Sequence, residues 1–167
     1  MNKFLKAGHL PTLISAFLYF DISFMVWVIL GPLGPYLTES MKLSASQKGF
    51  LIATPLLAGS FFRPLLGMLA DLIGGRKAGL CGLALTCAAL ITGWRADSLP
   101  QLMFTAVLLG IAGASFAVAL PLASRWYPPE YQGLAMGIAG AGNSGTLLAT
   151  LLAPRIAAQW GWQNAIG

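Results

Sequence analysis

A chain of 167 residues that is 57% hydrophobic and only 9% charged, with a mean hydropathy of +0.74, does not have the composition of a soluble domain, where about a quarter of residues carry charge. Its net charge of +5 would suggest nucleic acid in a soluble protein, but in a membrane protein lysines and arginines at helix ends anchor the chain at the interface. A water-solvated core and a nucleic-acid partner are both excluded. What remains is an all-α membrane protein with the lipid bilayer as its solvent.

The opening residues, Met1 to Leu10, have a basic flank. The apolar stretch behind them is too long for a signal-peptide core and lacks a small-residue cleavage site. Crossing a bilayer takes about 20 apolar residues, and five such spans are predicted in order: 11–36, 47–72, 78–94, 100–122 and 132–158. The turns between them are short, so neighbouring spans run antiparallel in a bundle. With the N-terminus inside, Lys3, Lys6, Arg76, Lys77 and Arg125 fall on the inner side, and Lys42, Lys48, Arg95 and Arg155 on the outer. That bias has the sign of a cytoplasmic N-terminus. The closing stretch Gly161 to Gly167 reads as the start of a further span, so the expectation is a chain truncated before its sixth helix.

Span one carries Asp21, roughly a turn from its middle. An acid there is expensive unless paired or protonated, and it marks either a proton-coupling site or a static partner for a cation. Span two carries Arg63, about four residues or roughly 6 Å from its middle at 1.5 Å per residue. Arginine at mid-helix costs about 2.5–3.5 kcal/mol on insertion scales and by default marks a functional site. Its guanidinium is a planar fork of N–H donors suited to an oxyanion. The sequence also allows it to be a structural ion-pair partner of Asp21 or Asp71. Cys81 and Cys87 in span three read as buried small hydrophobes, with neither a disulfide nor a metal; no cofactor is implied anywhere.

Span five holds Gly133, Gly137, Gly140, Gly142 and Gly145. Gly133 and Gly137 form a G-x-x-x-G, which brings helix backbones close. A side-chain-free face also lets backbone approach a small ligand, which makes Gly142 and Gly145 candidates for that contact. Asn143, among these glycines, can both donate and accept hydrogen bonds, as a ligand or as a tie between helices. Gly142-x-Ser144-Gly145 superficially matches an intramembrane serine protease, but such an enzyme needs a histidine base. The sole histidine, His9, lies near the N-terminus.

Gly67-Met68-Leu69-Ala70-Asp71 followed by Gly74-Gly75-Arg76-Lys77 resembles the G-x-L-A-D-x-x-G-x-[RK] loop of the major facilitator superfamily. Gly59-Ser60-Phe61-Phe62-Arg63-Pro64 resembles the span-two arginine of its nitrate/nitrite porters. Ala139-Gly140-Ala141-Gly142-Asn143-Ser144-Gly145 is similar to their span-five nitrate signature. The resemblance covers the whole chain. It implies the N-terminal part, residues 1–167, of a twelve-helix transporter of nitrate and/or nitrite, completed by a second half that supplies another arginine. It implies that Arg63 binds the anion, that Phe116 flanks it, and that the loop of Gly67, Asp71 and Arg76 gates one face by making and breaking charge contacts. The same fork would suit a carboxylate, so a porter of another small anion is the rival. An inactive fragment without the second half is the remaining alternative.

Overall fold

A computed structural model describes residues 2–167, all of whose regular elements are helices. In chain order they are α1 (Asn2–Ala7), α2 (Leu10–Trp27), α3 (Leu30–Met41), α4 (Ala45–Ile73), α5 (Gly75–Trp94), α6 (Leu99–Gly113), α7 (Phe116–Ser124) and α8 (Pro129–Gly140). A 3-10 turn (Ala141–Ser144), α9 (Gly145–Trp160) and α10 (Trp162–Ile166) follow.

Local chemistry sets the boundaries. The longest helix, α4, opens on a capping box. Ser44 Oγ accepts from the Gln47 backbone N–H at 3.2 Å, and Gln47 Oε1 accepts from the Ser44 N–H at 2.9 Å. Two donors that no helix carbonyl can reach are thereby satisfied. It ends at Gly74, whose φ of +89° is open to glycine and strained for other residues. Pro55 and Pro64 lie inside it, which neighbouring helices tolerate within a membrane.

Four stretches are long and apolar enough to cross a membrane: Leu10–Met41, Ala45–Ile73, Gly75–Trp94 and Leu99–Ser124. They match the first four predicted spans. The fifth is not one continuous helix. It is α8 and α9 joined by the 3-10 turn, because a cluster of glycines at its centre weakens helix propensity and lowers hydropathy. Span one also breaks at Val28 and Ile29, and span four at Ala114 and Ser115. The breaks of spans one and four lie side by side, since a Cβ on Gly113 would collide with the Trp27 ring. The turn of span five meets span one earlier, where a Cβ on Gly145 would collide with the Asp21 carbonyl oxygen.

The bundle interior is built from Leu30, Leu33, Leu37, Leu51, Leu102 and Leu109, all at most 1% exposed. Span five packs on it with a seam of small residues: Ala135, Ala139, Gly142, Gly145, Ala149, Ala153 and Ala157 are all buried. The G-x-x-x-G pair meets no neighbour among the described residues. A Cβ on Gly133 or Gly137 would meet nothing within 4 Å, because that pair faces away from the bundle. Cys81 and Cys87 are likewise exposed, not buried. Lipid accepts an apolar side chain as readily as a core does, so hydrophobicity in a span does not show which way a residue points. One face of α4 is likewise left uncovered by the described helices. Phe50, Leu57, Phe61, Met68 and Leu72 are each more than 60% exposed.

Candidate functional site

Arg63 is half-buried on α4 and lines a cleft of about 250 Å³ with Phe20, Phe24, Phe116, Gly140 and Asn143. Spans one, two, four and five each contribute to its wall. Arg63 Nε donates to the Gly113 carbonyl oxygen at 3.3 Å. Among the described residues the terminal nitrogens have no protein acceptor and remain for the cleft.

Two aromatic rings hold the guanidinium. Its carbon lies 5.5 Å from the centroid of Trp27 and 5.7 Å from that of Phe116, within the range of cation–π attraction. Trp27 is itself fixed, donating from Nε1 to the Pro55 carbonyl oxygen at 2.8 Å. It lies against Gly113, where no side chain would fit. Phe20 and Phe24 stack edge to face at 4.3 Å, and Phe20 meets Phe116 at 5.6 Å. The wall is therefore largely aromatic, with one cation and one amide. Sequence reasoning missed Trp27, whose helix–helix contact with Arg63 has no local motif to announce it.

Asp21 does not hold Arg63. It is buried at 8% exposure, and its Oδ1 accepts from Ser144 Oγ at 2.6 Å. Nor does Asp71 hold it: Asp71 Oδ1 accepts from Arg125 Nη2 at 3.0 Å, which is the sole ion pair among the described residues. This bond joins the ends of spans two and four. Gly67 supports the same crossing, its Cβ position 3.7 Å from the Ala117 methyl. Arg76 takes no part in that pair. It is exposed at the first turn of α5, on the rim of a groove that also contains His9, Tyr19 and Trp126.

Gly142 and Gly145 stand outside the cleft lining. A Cβ on Gly142 would come 2.8 Å from the Phe17 carbonyl oxygen and 2.9 Å from the Asp21 nitrogen, and Gly145 abuts the Asp21 carbonyl. They press the 3-10 turn onto α2 while Asn143, between them, borders the cleft. His9 bonds Thr12 and faces Trp126, so no histidine meets Ser144. No three His, Cys, Asp or Glu come together for a metal ion among the described residues.

Residues 15–167 match the family model of the Major Facilitator Superfamily. The chain belongs to that superfamily. It is 34% identical over 143 residues to a probable nitrate transporter, NarT, of Staphylococcus carnosus, covering 86% of this chain and 37% of that protein. It is 34% identical over 157 residues to a probable nitrate/nitrite transporter, NarK2, of Mycobacterium tuberculosis, covering 92% of this chain and 40% of that protein. The chain thus spans about two fifths of the length of the curated relatives it matches. As a major facilitator chain with several apolar helices it is a multi-pass membrane protein, and the resemblance to the nitrate/nitrite porters extends over most of its length.

Proposed function

We propose that this chain is the N-terminal part of a twelve-helix secondary transporter for nitrate and/or nitrite. It sits in the cell inner (plasma) membrane with a cytoplasmic N-terminus and works by alternating access, through nitrate:nitrite exchange or proton-coupled uptake. The observation that carries this reading is the aromatic cleft in which Arg63 and Asn143 converge. A water takes about 30 Å³ in the liquid, so the cleft accommodates a small planar oxyanion with several waters. Such an anion accepts from the free guanidinium N–H groups and from the Asn143 amide, while Phe116 and Trp27 hold the fork in place and keep bulk water away. An arginine from the second half would close the site. Gly142 and Gly145 serve it from behind, by letting the turn that carries Asn143 seat against α2.

The test is nitrate and nitrite uptake by vesicles holding the full-length transporter, wild type against Arg63→Lys. Lysine keeps the charge and loses the fork, so transport should fall by about 10- to 100-fold, as expected for lost charge-assisted hydrogen bonds, with insertion unchanged. Unchanged transport would reject Arg63 as the ligand. Inhibition by formate or acetate as strong as by nitrite would move the assignment to a carboxylate porter.

A further inference from the structure

The 3-10 turn of span five carries two residues that face different ways. Asn143 borders the anion cleft, and the next residue, Ser144, donates its hydroxyl to Asp21 at 2.6 Å. Whenever Asp21 is ionised this is an O–H···O⁻ bond, roughly twice as strong as a neutral one. Asp21 is buried, and its neighbour in sequence, Phe20, is part of the cleft wall. On both sides of Asn143, then, the turn is held to the same point of α2: by Gly142 against the backbone of Phe17 and Asp21, and by Ser144 and Gly145 against Asp21.

The Asp21 surroundings leave Ser144 without a rival partner. The 3-10 turn, α6 and α7 contain no charged residue. Of the other elements packed on α2, α8 has Glu130 and Tyr131 in its first turn, α9 has Arg155 in its second half, and α5 has Arg76 and Lys77 in its first turn with Cys81 and Cys87 beyond. Tyr19 is on α2 itself, and Arg63 enters the cleft from α4. None of these cations makes an ion pair with Asp21 among the described residues.

We infer that Ser144 is a positioning residue: its bond to Asp21 sets where Asn143 meets the anion, so that the protonation of Asp21 is felt in the cleft through one hydroxyl. With Asp21 ionised, Ser144 donates into a charge-assisted bond and the turn is held tightly. With Asp21 protonated, the bond becomes a neutral one between two hydroxyl groups, and the turn is held less firmly. This rests on the proposed function, since it presumes an anion in the cleft.

The experiment measures KM and maximal rate of nitrate uptake against pH in vesicles holding the full-length transporter, for wild type, Ser144→Ala and Ser144→Thr. Ser144→Ala is expected to raise KM about tenfold, the effect of one lost hydrogen bond to a charged group, with maximal rate changed less than twofold. The pH dependence of KM should be displaced from that of wild type. Ser144→Thr keeps the hydroxyl and should restore both. If Ser144→Ala leaves KM and its pH profile as in wild type, the inference fails. If Ser144→Thr behaves like Ser144→Ala at full expression, the hydroxyl is not the determinant and the inference fails equally. Arg63→Lys separates the two readings. Lost uptake in Arg63→Lys with an inert Ser144→Ala rejects this inference alone, whereas unchanged uptake in Arg63→Lys rejects the anion site itself.

Discussion

The glycines of span five differ more from one another than their common identity suggests. Gly145 lies so close to the Asp21 carbonyl oxygen that a methyl group cannot be placed there without moving backbone. Overpacking of side chains typically costs about 1–3 kcal/mol, and here no flexible side chain is available to yield. Gly145→Ala should therefore leave little monodisperse protein after detergent extraction. Gly133, by contrast, faces open space, and alanine there exchanges a poor helix former for the best one, a difference of about 1 kcal/mol. Gly133→Ala should melt at the wild-type temperature or slightly above. Both measurements need only fluorescence-detected size exclusion after heating. Equal behaviour of the two variants would contradict the packing described for this span. The sequence shows both glycines as members of one rich run and cannot rank them, because which face of a helix meets a neighbour is decided by the neighbour.

At the scale of elements, much was legible and the reasons are physical. Four spans follow from apolar runs too long for anything but a bilayer, whereas the Ser44–Gln47 capping box that starts α4 two residues ahead of the predicted span emerged only from the structure. Arg63 stands out because charge is rare at mid-span. The interruption of span five at Ala141–Ser144 was not legible, nor was the partner of Asp71, since Arg76 lies five residues from it and Arg125 fifty-four. The Asp71–Arg125 bond ties spans two and four at one end, with side chains 58% and 72% exposed as Arg125 and Asp71 respectively. An exposed pair of this kind adds at most about 1 kcal/mol, so its value is better sought in conformational balance than in stability. In a background with Cys81→Ser and Cys87→Ser, a cysteine at position 143 would report access to the cleft through its rate of modification by a charged thiol reagent. Asp71→Asn or Arg125→Gln should raise that rate from the side where the bond lies, and the swap Asp71→Arg with Arg125→Asp should bring it back. Rates indifferent to all three changes would reject a gating role for this pair.

For the molecule as a whole, the membrane potential limits what the cleft can accomplish. Moving one charge across it involves about 2.3 kcal/mol per 100 mV, so at about −150 mV a single nitrate entering the cell is opposed by roughly 3.5 kcal/mol before any concentration gradient. Exchange of nitrate for nitrite moves no net charge and escapes this cost. Uptake of nitrate alone needs protons to offset it, and then a titratable group has to lie within the membrane near the anion. On the proposed function Asp21 is the candidate: it is buried in span one, bonded to the turn that carries Asn143, and next in sequence to a residue of the cleft wall. Asn at this position retains an oxygen that accepts from Ser144 but cannot take up a proton. Asp21→Asn in the full-length transporter should therefore abolish nitrate uptake driven by an imposed pH gradient while retaining exchange between nitrate outside and nitrite inside, at a raised KM because the bond to Ser144 is now neutral, both measured in the same vesicles. Loss of both modes to the same extent would assign Asp21 a static role, that of holding Ser144 and the turn.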